Sequence, residues 1–528
     1  MRSDWGALDA LVARADTLAA SLAPRARETT SLGQERATLR LFGVTGLDGD
    51  GRPLAGATVD RWLARDRRGL GGGVALPFAM GLLEYDLDPQ QLALDVAAGT
   101  VDLGLEADLL REPDRRAVAE AEATRLARAA IERIDADRTA RREIIDLLGD
   151  APRPWIGTTL VEPDLEGALD EIDELITAGA DIIRIEVPVG RELAERLQGV
   201  GEDVPEWRAG DSRAVRLGRE RVEAAPAGSQ RALAELRRQT DSLAAQRRGY
   251  VRLATAAPAL WSPEDAVVAA FERIDLVEAD PMAEIVATGI DPARALSDHA
   301  FAHRLHRRAG TVLMIGAGSL VVAPDLRAGI PSDPATRCGR ALALQLLAVA
   351  LARADGVSVD QIAVGALPPW IVDEPAAGAR SIAEVAIRRE IYPDHPLAFV
   401  EPDVPVDQAA AWPFILAAGL TISGDLALVI RRPGRTQAVA RETRAAVRVA
   451  AEIRAARLPA ELRGVALDHA QRSIVVAAAT LEMLIERGWR SVAGDAPDVS
   501  SARALGGDAV ADRTEPFDPF ESVLGRFA

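Results

Sequence analysis

An arginine and a glutamate two residues apart stand inside an otherwise apolar run, G-A-D-I-I-R-I-E-V-P-V-G, residues 179–190. The run reads as a buried strand, and the spacing of two puts Arg184 and Glu186 on one face of it. Charged or polar residues also mark other strand-like runs: Glu162; Arg252 and Thr255; Asp275, Glu278 and Asp280; Glu401 and Asp403. Carboxylates and guanidiniums converging on one mouth suit a zwitterionic or polyanionic ligand. In that ring Arg184, Glu186 and Glu278 are the candidate catalytic residues, Arg252 and Thr255 candidate cofactor contacts, and Glu401 a candidate substrate contact. A purely structural ion network is the competing reading of the same residues.

A second constellation is D-H-A-F-A-H-R-L-H, residues 298–306. Steps of four and three put His299, His303 and His306 roughly on one helix face, where imidazoles could ligate zinc or iron. H-E-x-x-H is missing, however, and three ligands on one helix cannot enclose a metal, so the expectation is a polar, solvent-facing stripe and no metal site. Asp298, beside them, is a further candidate for substrate binding. The single cysteine, Cys338, can form no internal disulfide, and one thiol makes no cluster site.

The elements that must position these groups follow a clear rhythm. Residues 1–150 are mainly helical in pattern. From Trp155 onward, short strand-like runs begin near 156, 181, 250, 272, 311, 361, 397 and 426, with helical stretches between most of them. Eight strands alternating with helices predict an α/β fold, a (β/α)8 TIM-like barrel over 151–436, with helical additions at both ends. A doubly wound sheet shares the alternation. A helical region over 437–491 and a loosely ordered Gly/Asp/Pro-rich tail over 492–528 complete the expected organisation. The glycines of R-R-G-L-G-G-G, from residue 67, are expected to pack near a domain junction, and the arginines of 237–248 to lie on a solvated helix face.

Composition narrows the function. The net charge of the 528 residues is −18, which argues against a general nucleic-acid surface. All 62 basic residues are arginine, so this chain cannot by itself hold pyridoxal phosphate as a lysine Schiff base. It carries no G-x-x-x-x-G-K-S/T loop, no G-x-S-x-G elbow, no C-x-x-C and no D-x-H-x-x-G, which counts against an ATPase, a hydrolase, an iron–sulfur protein and a self-contained cobalamin protein. A start without a secretory apolar core gives the cytoplasm as the default location, and no membrane is expected.

Four blocks in order resemble one family. They are E-R-A-T-L-R-L-F-G-V-T-G (35–46), G-A-D-I-I-R-I-E-V (179–187), W-S-P-E-D-A-V-V-A-A-F-E-R-I-D (261–275) and R-R-E-I-Y-P-D-H-P-L-A-F-V-E-P (388–402). The chain resembles the α subunit of lysine 5,6-aminomutase, which depends on adenosylcobalamin and pyridoxal phosphate. The resemblance implies a barrel working with a smaller β subunit that carries the cobalamin-binding domain and the pyridoxal lysine. It implies a 1,2-migration of an amino group on lysine or a related amino acid, by a radical mechanism. The missing lysine and missing cobalamin motif agree with that division of labour.

The chain also departs from the family. After its second strand the family has R-T-T-G-Q-S; here V-P-V-G-R-E puts Val187 at the arginine, Arg191 at the glutamine and Glu192 at the serine. Beyond the fourth strand the family's Y-G-I-L-F-R-D becomes A-E-I-V-A-T-G, with Thr288 in place of the arginine. The family's asparagine–tyrosine-rich segment is A-T-A-A-P-A-L here, residues 254–260. By position, Arg191, Glu192 and Thr288 are the cofactor-binding candidates that the resemblance supplies. The departures leave two alternatives open: a diverged adenosylcobalamin-dependent mutase lacking pyridoxal and acting on another small acid, or a non-catalytic partner of a cobalamin-binding subunit.

Overall fold

The computed structural model describes residues 6–50, 52–64, 67–160, 165–185, 226–256, 262–288, 290–317, 332–368, 371, 376–401, 412–423, 427–431, 460–489, 510–514 and 517–524. Eight parallel strands close into a barrel. They are β2 (Trp155–Leu160), β3 (Ile182–Ile185), β4 (Arg252–Ala256), β5 (Leu276–Glu278), β6 (Val312–Ile315), β7 (Ile362–Gly365), β8 (Leu397–Val400) and β9 (Ala427–Arg431). β9 pairs back onto β2, with Trp155 opposite Leu428 and Thr158 opposite Arg431. The fold is therefore the TIM-like barrel that the alternation predicts, and the doubly wound sheet is excluded.

Period-two alternation sorts each strand into two cores. Ile182, Ala254, Leu276, Met314, Ala363, Ala398 and Leu428 fill the barrel interior. Their neighbours Ile183, Leu253, Val277, Leu313, Val364, Phe399 and Val429 face the surrounding helices. Aspartate followed by proline starts four of the described helices, at Asp88, Asp280, Asp291 and Asp333; each aspartate caps the backbone while the proline takes the first helical position. The Pro334–Ala354 helix is long and apolar enough to cross a membrane, but its apolar stretch is 78% buried, as suits a core helix of the barrel wall.

The helical N-terminal region has its own core. There Phe42, Phe78 and Leu92 pack with Phe271 and Phe301 of two barrel helices and with Phe520 from the tail. The tail is thus partly ordered: β10 (Val510–Asp512) pairs antiparallel with β1 (Thr29–Ser31). Its neighbour Thr514 donates its backbone N–H to the Gly71 carbonyl in the Arg67–Gly72 turn, so the glycine-rich segment packs against the tail. The Arg237 side chain, expected on a solvated face, is instead buried, bonding Asp241, Asp275 and the carbonyl of Val251. Arg238, its neighbour, is exposed.

Near the end of the described chain, the Ala460–Arg487 helix lies along the Pro334–Ala354 helix. Gly339 permits the close approach: a Cβ there would stand 2.5 Å from the Ser473 carbonyl oxygen and 2.6 Å from Val476 Cβ. Gly339→Ala is expected to push these helices apart and cost about 1–3 kcal/mol. Urea unfolding checks this; an unchanged midpoint would refute the tight crossing.

Candidate functional site

In a barrel of this kind, chemistry belongs at the carboxyl ends of the strands. Arg184 follows Ile182 by two along β3 and Glu278 follows Leu276 by two along β5, so both point into the barrel near that end. Their side chains meet as a fork: Arg184 Nε lies 2.5 Å from Glu278 Oε1, and Nη2 lies 3.1 Å from Oε2. Both residues are buried. The intervening strand β4 leaves room, because Ala254, the register partner of Arg184, fills little of the interior. A bidentate guanidinium–carboxylate pair is geometrically specific, and burial makes it costly to leave either half alone.

Two further acids stand at this end. Glu401 directly follows β8 and its backbone N–H donates to the Ile430 carbonyl at 2.9 Å. Asp280, two residues past β5, accepts the N–H groups of Met282 and Ala283 and, at 3.0 Å, that of Gly316 beyond β6. Burial pushes the Asp280 carboxyl above its ordinary pKa, and the Ala283 bond opposes this. Gly316 has a φ of +73°, and a Cβ there would collide with the Gln345 side chain. Gln345 in turn donates to the carbonyls of Ile315 and Gly365, tying β6 to β7. Asp280, Gly316, Gln345, Pro368 and Arg388 line a small cleft beside the mouth.

Other sequence candidates fall elsewhere. Arg252 is at the amino end of β4; it bonds Asp150 at 2.6 Å and its guanidinium stacks 3.5 Å from the centroid of the Trp155 ring. Asp275 is also at an amino end, bonded by Tyr250 Oη, Leu253 N, Arg141 and Arg237. Thr255 is in register with Ile185 and Val277, whose side chains face the helices, so it shares the outer face. Asp298 accepts from the Ser31 hydroxyl and pairs with Arg294 at 3.4 Å, under β1. Thr288 is the last residue of the Pro281–Thr288 helix. Glu162, Glu186, Val187, Arg191, Glu192 and Asp403 lie outside the described residues.

The histidine helix corrects the expectation of a solvent-facing stripe. His299, His303 and His306 are all about 1% exposed, because the Pro292–Ala309 helix is wedged between barrel and N-terminal region. His299 Nε2 lies 3.0 Å from Glu284 Oε1 and 3.2 Å from the Ser262 hydroxyl. Burial opposes charge on His299, but Glu284 outweighs it and raises the pKa. His303 bonds Asp355 at 2.8 Å, yet burial keeps its pKa low. Among the described residues no acid compensates His306, and burial with the neighbouring histidines pushes it down to about 3.

Sequence reasoning missed a further buried network. Arg388 Nη1 lies 2.5 Å from Glu384 Oε2, and His469 Nε2 lies 3.0 Å from Glu384 Oε1. Burial alone would raise the Glu384 carboxyl, but Arg388 and His469 bring it down to about 2. Glu384 and His469 are 85 residues apart, so no local spacing could announce them.

A closed (β/α)8 barrel with buried charge at its carboxyl mouth defines a TIM-barrel protein. Residues 3–204 and 218–405 match the family described as the D-lysine 5,6-aminomutase TIM-barrel domain of alpha subunit. The chain belongs to that family. It is 23% identical over 406 residues to the lysine 5,6-aminomutase alpha subunits of Acetoanaerobium sticklandii and Fusobacterium nucleatum, covering 76% of this chain and 71% of each relative. Among solved structures, it aligns with a dihydropteroate synthase from Anaplasma phagocytophilum at 12% identity and a TM-score of 0.37, over 57% of this chain and 98% of that one.

Proposed function

We propose that this chain is the barrel subunit of a cytoplasmic aminomutase that moves an amino group within lysine or a related small amino acid, together with a smaller cobalamin-binding subunit. The match to the aminomutase barrel family over most of the chain carries this reading. The Arg184–Glu278 pair supports it chemically: an amino-acid zwitterion brings a carboxylate and an ammonium, the two charges that such a fork can exchange partners with.

The described residues do not by themselves make a pyridoxal phosphate site. The chain has no lysine for the covalent bond, and Arg184, the guanidinium at the mouth, is engaged by Glu278. In this reading pyridoxal and adenosylcobalamin both come with the partner, and the cofactors supply the radical chemistry. The barrel's own work is to orient the substrate through Arg184, Glu278 and Glu401, and to keep water from the reacting centre with its apolar wall. Glu186, Arg191, Glu192 and Thr288 remain contacts proposed from their places in the chain.

Val187 and Thr288 stand where the resembling family has arginines, and this favours one second reading: a diverged mutase that uses adenosylcobalamin without pyridoxal. The absorption spectrum of the co-purified complex, with both cofactors supplied, separates the two. A pyridoxal band that disappears when the partner's lysine is replaced supports the aminomutase. Bound cobalamin without that band selects the diverged mutase, and failure to bind either cofactor overturns both.

A further inference from the structure

We infer that Cys338, Glu384 and His469 form a structural site for a thiophilic divalent cation, zinc by preference, clamping the C-terminal helix onto the barrel wall. A thiol sulfur, a carboxylate oxygen and an imidazole nitrogen from these residues all lie within 4.8 Å of one another, and all three residues are buried. They come from three separate helices, Pro334–Ala354, Ala377–Ile391 and Ala460–Arg487. One thiol makes no cluster by itself; here the other two donors come from distant elements.

The fold brings the donors together for an identifiable reason. Gly339 lets the Ala460–Arg487 helix approach to contact at Ser473 and Val476, and His469 lies one turn before Ser473 while Cys338 directly precedes Gly339. Glu384 completes the set from the third helix. Zinc bonds run about 2.0–2.2 Å to nitrogen and oxygen and about 2.3 Å to sulfur, so donors a few ångströms apart can share one ion after small side-chain shifts. The 3.0 Å separation of His469 Nε2 and Glu384 Oε1 is held by a proton that the metal would replace.

Charge supports the same ion. A thiolate, a carboxylate and a neutral imidazole carry two negative charges together, matching a divalent cation. Arg388 grips the other carboxylate oxygen, leaving Oε1 for the metal and fixing the ligand's orientation as outer-shell partners do. A sulfur–nitrogen–oxygen set selects zinc or cobalt over magnesium or calcium. On binding, the sulfur–hydrogen bond breaks as a sulfur–metal bond forms and that proton leaves to solvent, while the bridging Nε2 proton of His469 is exchanged for one on Nδ1, so that the imidazole stays neutral as its Nε2 takes the metal.

The test is titration of the reduced, chelator-treated full chain with Co2+ alone. One equivalent is expected to produce a thiolate-to-cobalt charge-transfer band, which Zn2+ then abolishes by displacement. Cys338 is the only thiol, so the band reports this site without any variant. Cys338→Ser should remove the band, and His469→Gln should weaken cobalt affinity at least about tenfold, each checked for a native circular dichroism spectrum. Zinc should also raise the Tm of the wild type more than that of either variant. Absence of the band in the wild-type chain, or its survival in Cys338→Ser, overturns the inference.

Discussion

Arg184→Ala is expected to cost about 3–5 kcal/mol of stability, because it strands the Glu278 carboxylate in the barrel interior. The pair is bidentate and both side chains are buried, so neither water nor a small rearrangement within the packed mouth can replace the lost guanidinium. Replacing both partners by apolar residues of similar volume, as in Arg184→Met with Glu278→Leu, should recover much of that loss. Urea unfolding of the single and double variants measures the difference. The double variant also isolates function from folding: a folded barrel that no longer binds or turns over substrate would assign the pair to the site. Unchanged substrate affinity in the double variant would make the pair a structural brace and remove it from the proposed function.

The second large effect concerns pH. His306 stays neutral in the folded chain down to about pH 3, whereas its ordinary value is 6.5. The unfolded chain therefore takes up a proton first as pH falls. This residue's contribution to stability is complete above pH 6.5 and is lost progressively on acidification toward 3; over the whole window it is on the order of 4–5 kcal/mol. His303, whose pKa is also depressed by burial, acts in the same direction. His299 acts oppositely, since its pKa is raised: its stabilisation is present below 6.5 and lost as pH rises through the folded value. His306→Leu, which removes the titrating ring, is expected to flatten the fall in stability between pH 7.5 and 5 by about 2 kcal/mol. Denaturant unfolding at the two values is the measurement, and an identical pH slope in the variant would refute the assignment.

The two cases differ in how far the sequence shows them. The strand rhythm after Trp155 yields all eight barrel strands, because a parallel barrel needs a helical crossover between each pair and leaves that alternation in the chain. It also yields Arg184 as an interior charge, since a guanidinium in the middle of an apolar strand has few other places to go. The family, too, was readable, from ordered blocks spread along the chain. The mouth was less so. Arg252 and Asp275 carry the same residue types as Arg184 and Glu278, but they enter their strands at the amino end. Parallel strands are buried on both faces, so they lack the polar–apolar alternation that would tell inside from outside; Thr255 is the residue this ambiguity misplaced. The burial of the histidine helix was hidden for a related reason. Periodicity describes one helix at a time, and only packing of the N-terminal region against the barrel closes over it.

By itself, then, the sequence determined the secondary-structure order, the barrel, the family, and the absence of a lysine that obliges any pyridoxal to be anchored elsewhere. Local patterning suffices for the order of elements, and composition suffices for the lysine. The tertiary structure alone decided which charges share a space: Arg184 with Glu278 across β4, His299 with Glu284, and Cys338 with Glu384 and His469 across three helices. Such meetings depend on strand stagger and on helix approach distances, down to the missing Cβ of Gly339. Those are set by the packing of the whole chain and leave no spacing rule in the sequence.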